Sequence, residues 1–201
     1  MITARLFDAI MYPLEASGLA AVRRRLARRV SGSLLEIGPG TGANLIPLQR
    51  YASGLADYTG IDPGPPDVLY ERARQLSTRR GIAAGITRAP AEDMPFAAAS
   101  FDTVLVTLVL CSVDSQRKAL SEMRRVLKPG GRLLFLEHVR HPHAGKAVLM
   151  DAINPVYNRI TRECNINRDT LAGLNEAGFR CSSLTRSRSG IFVWGEAFFT
   201  S

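Results

Sequence analysis

Long apolar runs are missing from this 201-residue chain. The longest, around Val104–Cys111, is strand-sized and far short of the ~20 residues that a bilayer-spanning helix needs. The first residues offer no uninterrupted apolar core either, because Arg5, Asp8 and Glu15 break the pattern, so no signal peptide is expected. Cysteine is scarce. Cys111, Cys164 and Cys181 are too widely spaced for a disulfide framework or a zinc pattern, and they suit a reducing cytoplasm. The 17 glycines and 11 prolines follow no period, which excludes collagen-like and low-complexity classes. His141 and His143 flank Pro142 but supply only two ligands, so no metal site is expected.

What is present reads as one ordinary globular unit. The length fits a single domain of about 150 residues or slightly more, and 46% hydrophobic with 22% charged residues is the common balance. The net charge of +8 invites a nucleic-acid reading, yet lysine supplies only three of the 26 basic residues. Half the surplus lies in residues 1–30, where six arginines face Asp8 and Glu15. Any retention on nucleic acid should therefore be phosphate charge alone, without sequence specificity.

From Leu34 onward, short apolar runs alternate with helical patterns. Strands are expected at Leu34–Ile37, Asp57–Ile61, Ile82–Arg88, Phe101–Leu110, Arg132–Val139, Phe179–Leu184 and Ile191–Phe199. Helices are expected at Asn44–Tyr51, Val68–Arg80, Ser115–Leu127 and Asp169–Ala177. Lys128-Pro129-Gly130-Gly131 reads as punctuation after the third of these helices. Such alternation means a mostly parallel α/β sheet with right-handed crossovers. Before it, Leu19, Val22, Leu26 and Val30 share one helix face, with Arg24, Arg25 and Arg28 opposite, and Ile2, Leu6, Phe7 and Ile10 form a shorter stripe. Residues 1–30 are thus expected to form a helical cap on a domain of residues 31–201. The competing reading lays that Arg-bordered segment on an anionic membrane as a peripheral contact.

The informative segment is Leu35-Glu36-Ile37-Gly38-Pro39-Gly40-Thr41-Gly42-Ala43-Asn44. Its glycines let a ligand approach the backbone at the carboxyl end of the first strand. The spacing is G-x-G-x-G, whereas a dinucleotide fingerprint is G-x-G-x-x-G, and Ala43 stands where the last dinucleotide glycine would be. Asp62 follows at the end of the second strand, where a carboxylate can accept both ribose hydroxyls.

These residues resemble the class I S-adenosylmethionine-dependent methyltransferases over about residues 30–199. Glu36, Gly38, Gly40 and Gly42 match that family's first motif, and Asp62 matches its ribose acid. Ala91-Glu92-Asp93-Met94-Pro95-Phe96 with Ser100-Phe101-Asp102 is similar to its adenine-side loop, and Leu127–Gly131 to the turn before its fifth strand. Pro90 stands where many members carry an aspartate. The resemblance implies a Rossmann-like sheet of seven strands, mostly parallel with the last antiparallel, helices on both faces, and S-adenosylmethionine as cofactor with S-adenosylhomocysteine as product. It implies cofactor contacts at Glu36, Gly38, Gly40, Gly42, Asn44, Asp62, Pro63, Ala91, Glu92 and Leu108.

A narrower resemblance joins Thr107–Val113, Leu136–Val139 and Cys164–Thr170 to the methyltransferase-like thiol methyltransferases, although Glu163 replaces a glycine of that family and its long apolar N-terminal anchor has no counterpart in residues 1–30. This resemblance implies a small-molecule acceptor with a thiol as first choice, and it makes His138, at the end of the fifth strand, the expected catalytic residue. Cys164 is a pocket candidate. The alternatives are methylation of a phospholipid or quinone at a membrane surface, or an adenosyl-binding module without activity. Asn154-Pro155-Val156-Tyr157 looks like an amino-methyltransferase motif but lies far from the end of the fourth strand, so it is read as a decoy. Residues 2–12 are expected to form a lid, with Phe7 and Met11 facing the acceptor.

Overall fold

The structure is a computed structural model that describes residues 15–161 and 164–199. The expected lid, with Phe7 and Met11, and Glu163 lie outside the described residues. Seven strands form one sheet: β1 Ser31–Ile37, β2 Gly54–Asp62, β3 Ala84–Arg88, β4 Phe101–Thr107, β5 Leu127–His138, β6 Phe179–Arg186 and β7 Phe192–Phe199. Their spatial order is β3-β2-β1-β4-β5-β7-β6. Pairing is parallel from β3 through β5, and β7 runs antiparallel to both neighbours, β5 and β6. The order reverses between β1 and β4, and ligands of open α/β sheets bind at the carboxyl ends of the strands beside such a switch.

The helices are α1 Ala20–Ala27, α2 Leu45–Tyr51, α3 Asp67–Arg80, α4 Gln116–Val126, α5 Ala144–Thr161 and α6 Thr170–Glu176. Side chains alternate across each strand, so the two faces of the sheet build two cores. One joins Val104, Val106, Leu133 and Phe135 to Leu120 and Met123 of α4 and Leu174 of α6. The other joins Leu34, Leu105, Leu134 and Leu136 to Leu48 of α2, Leu69 of α3 and Leu26 of α1. The apolar stripe of α1 is therefore part of the second core, while Arg24, Arg25, Arg28 and Arg29 are exposed.

Helix ends follow local chemistry. Ser115 accepts a hydrogen bond from Lys118 N at 3.3 Å and starts α4, and Asp169 accepts one from Ala172 N at 3.0 Å and starts α6. Gly81 ends α3 in the left-handed conformation.

Several boundaries differ from expectation. β2 begins three residues early, at Gly54, and pairs there with Ser31. β4 stops at Thr107, because Leu108 takes a positive φ of 60° and turns the chain out of the sheet. β5 begins at Leu127, opposite Phe101, and resumes pairing at Arg132 opposite Thr103, so Lys128–Gly131 form a bulge inside the strand and not a terminator before it. The longest helix, α5, has no counterpart in the expected pattern. Its large apolar side chains Val148, Leu149 and Val156 point outward at 60–63% exposure, so no buried stripe marks it, and Pro155 lies inside it. The decoy Asn154–Tyr157 is part of this helix, with Asn154 Oδ1 holding Ile166 N at 2.9 Å.

Candidate active site

The turn after β1 carries the glycines at the switch point. Gly38 has φ of 59°, and a Cβ there would lie 2.5 Å from Val109 Cγ2, so only glycine fits between the β1 and β4 turns. Gly40 has φ of 55° with open space beyond its Cα, the cradle a backbone-hugging ligand requires. At the neighbouring strand end, Asp62 accepts hydrogen bonds from Gly40 N at 3.2 Å (Oδ2) and Gly64 N at 2.8 Å (Oδ1). The same carboxylate thereby locks the glycine turn and keeps lone pairs free on a partly exposed face, one residue before the exposed Pro63.

Behind the turn lies a largely buried polar network. Asn44 Nδ2 donates to Glu36 Oε1 at 2.7 Å and to Thr107 Oγ1 at 2.9 Å, while Tyr58 Oη donates to Glu36 Oε2 at 2.8 Å. Burial raises the Glu36 pKa against those hydrogen bonds and the nearby Arg23. Arg23 enters from α1, donating from Nη1 to Asn44 Oδ1 and Thr107 Oγ1, each at 2.9 Å, and from Nε to Glu15 Oε1 at 3.0 Å. Glu36 and Asn44 thus act on the turn from inside, and Arg23, Thr107 and Tyr58 are the partners that sequence reasoning missed. Arg23 was legible: at ~100° per residue it sits about 20° from Val30, on the apolar side of α1.

On the β4 side, Leu108 holds its left-handed conformation through Leu108 N to Leu136 O at 2.8 Å. Ala91 is buried, and Glu92 Oε1 accepts from Ser115 N at 3.1 Å, which ties the loop after β3 to the start of α4. Glu137, wholly buried near the end of β5, accepts Val109 N at 3.0 Å on Oε1, while Oε2 has no partner among the described residues. Burial drives its pKa well above the ordinary carboxylate value and favours the protonated form. The next residue, His138, stacks edge-on against Phe192 with centroids 5.2 Å apart. Burial pushes its pKa down to about 4, which leaves a neutral imidazole whose Nδ1 has no partner among the described residues. Cys164 lies at the same edge, its sulfur 3.3 Å from that of Cys111.

A glycine cradle with an open face, a strand-end carboxylate beside it and a buried network behind the turn suit a nucleoside-binding α/β site of the methyltransferase kind. Residues 35–135 match the family described as methyltransferase domain, and the chain belongs to the class I S-adenosylmethionine-dependent methyltransferases. It is 36% identical over 181 residues to human thiol S-methyltransferase TMT1B, covering 85% of this chain and 72% of that protein. The rat thiol S-methyltransferase TMT1B is 39% identical over 149 residues, 73% of this chain and 59% of its own length, so the chain spans roughly three-fifths to three-quarters of these relatives. Geranyl diphosphate methyltransferase, solved with S-adenosylmethionine, superposes with a TM-score of 0.72 at 16% identity, covering 98% of this chain and 90% of that one, and shows the fold. The cofactor is S-adenosylmethionine, and the fit is local: an open Gly40 cradle and a carboxylate with unused lone pairs suit an adenosyl ribose. Family membership favours an enzyme over the reading of a module without activity. Among the described residues, no helix is long and apolar enough to cross a membrane.

Proposed function

We propose that this enzyme methylates the sulfur of a small-molecule thiol. When bound, the cofactor supplies an electrophilic methyl group on a sulfonium. On this reading Gly38, Gly40 and Gly42 admit it along the backbone, and Asp62 binds its ribose. Glu36 and Asn44 hold the turn from behind. Pro63, Ala91, Glu92 and Leu108 border the adenosyl moiety through backbone and apolar surface, since Glu92 already serves Ser115 N. The chain must keep the nucleophile in line with the methyl carbon and the sulfonium sulfur, and positioning of this kind supplies much of the rate of a displacement.

One observation carries the choice of acceptor: at the carboxyl end of β5, Glu137 is enclosed and His138 is held uncharged by burial, so neither is placed to take the acceptor's proton. Glu137 is wholly buried with Oε1 engaged by Val109 N and its pKa raised by desolvation, and His138, with its pKa near 4, is a poor base for a thiol, phenol or alcohol. The acceptor must then bring its own acidity. An alkyl thiol of pKa about 8.5 is a few per cent thiolate at pH 7 and highly nucleophilic in that form, whereas an alcohol has no comparable anion. His138 consequently orients the acceptor and does not deprotonate it. The names of the human and rat relatives point the same way.

The test is a turnover screen across thiols, phenols, amines and lipid vesicles, read as S-adenosylhomocysteine formed. Thiols should turn over, with kcat/KM rising with pH along the ionisation of the thiol itself and shifting when a more acidic thiol is used. Turnover of amines, phenols or vesicle lipids with none of any thiol would overturn the assignment. Residues 2–12 belong to the same proposal as a cover over the acceptor.

A further inference from the structure

Cys111 and Cys164 are separated by 53 positions in sequence, yet their sulfurs stand 3.3 Å apart. They are brought together by backbone. Asn165 N and Nδ2 both donate to Cys111 O, at 2.8 and 3.2 Å, and Arg168 Nη1 donates to Leu110 O at 2.8 Å, so the segment after α5 is laced to the turn after β4. The two thiols are unequal. Cys111 is 2% exposed and Cys164 is partly exposed. The hydrogen bond between the two thiols lowers the pKa of Cys164, with Arg168 adding to it, while the same bond and burial raise that of Cys111. An accessible sulfur that ionises first, backed within contact distance by a buried protonated one, has the layout of an attacking and a resolving thiol.

We infer that Cys164 and Cys111 form a thiol–disulfide exchange site that takes small organic disulfides. The Cys164 thiolate attacks one sulfur of RSSR, the S–S bond breaks, and RS⁻ leaves and takes a proton from water. Cys111 then attacks the Cys164 sulfur of the mixed disulfide, expelling the second RS⁻, which takes up the Cys111 proton. One disulfide is reduced to two RSH while the two cysteines are oxidised to an internal disulfide. This inference is independent of the acceptor proposed above, because it needs neither cofactor nor methyl transfer.

The test uses the full chain in a Cys181→Ser background, since Cys181 is exposed on β6 and would react in its own right. The protein is incubated with bis(2-hydroxyethyl) disulfide, then analysed by intact mass and peptide mapping. Expected are a Cys111–Cys164 cross-linked peptide pair, release of both halves of the reagent as thiol, and reversal by dithiothreitol. Adding Cys111→Ser should arrest the reaction as a stable adduct on Cys164. Adding Cys164→Ser should leave Cys111 unmodified in the folded protein, with folding checked by circular dichroism. A lasting mixed disulfide on Cys164 while Cys111 is present, or no reaction at Cys164, would overturn the inference. Neither result bears on the thiol-methylation screen.

Discussion

Replacing Arg23 by methionine keeps an apolar stem of similar length and deletes the guanidinium. In the native protein that group donates to Asn44 Oδ1, Thr107 Oγ1 and Glu15 Oε1 while 6% exposed. Thr107 Oγ1 keeps a second donor in Asn44 Nδ2, so the unrepaired losses are the partner of Asn44 Oδ1 and the positive charge near Glu36. A buried acceptor left unpaired costs about 1–3 kcal/mol. Breaking a buried charge pair reaches about 3–5 kcal/mol, but Glu36, whose pKa is already raised, can take up a proton and cap that part. The expected loss is about 2–4 kcal/mol, or a fall in Tm of about 5–15 °C for a domain of this size. Arg24→Met, one position along on the exposed face of α1, should stay within about 0.5 kcal/mol. Urea denaturation of both variants at one pH measures the contrast. Calorimetry with S-adenosylhomocysteine should also show weaker binding for Arg23→Met alone, because Asn44 leads directly from the glycine turn into α2. Equal stability of the two variants would refute the structural role assigned to the network.

Three further outcomes are expected. Asp62→Ala should weaken S-adenosylhomocysteine binding by about 1–3 kcal/mol, the range for hydrogen bonds to a charged group; unchanged affinity in calorimetry would remove Asp62 from the ribose. Glu137 has a folded pKa raised well above the ordinary 4.5, so its contribution to stability is complete below that ordinary value and is lost as pH rises toward the folded one. Glu137→Gln, which mimics the protonated acid, should therefore gain on wild type as pH rises through that window in denaturation experiments, and a constant difference would contradict the assignment. Deleting residues 1–12 should leave the fold and cofactor affinity largely intact while abolishing turnover, and a truncated protein working at the full rate would end the lid proposal.

The glycine turn and Asp62 were legible because their chemistry is local: the turn needs positive φ, and a strand end sets where the carboxylate stands. The buried face of α1 was legible from helical spacing, and that spacing already placed Arg23 among the apolar residues. An arginine is ordinarily read as solvated, so its partners, which lie 21 and 84 positions away, stayed hidden. Helix α5 escaped because hydrophobic periodicity reports burial, and this helix turns its large aliphatic side chains outward. The left-handed Leu108 could not be foreseen, since nothing in its side chain favours φ of 60°. It is imposed by pairing with Leu136 O on one side and by the Gly38–Val109 contact on the other.

The end of β5 shows how one physical cause can serve a reaction twice. Alternation along the strand sends Glu137 beneath the turn after β4 and His138 toward Phe192. Desolvation acts on both, raising the acid and lowering the base, so each is shifted toward its uncharged form although they titrate in opposite senses. A displacement between an anionic nucleophile and a cationic centre disperses charge as it proceeds, and it is favoured where water and competing counter-ions are excluded. On the proposed reading, a charged Glu137 would repel a thiolate, and a charged His138 would pair with it and blunt its attack. Desolvation at this strand end disfavours both charges, and on the same reading Asp62, on the far side of β1, is the carboxylate that faces the cofactor.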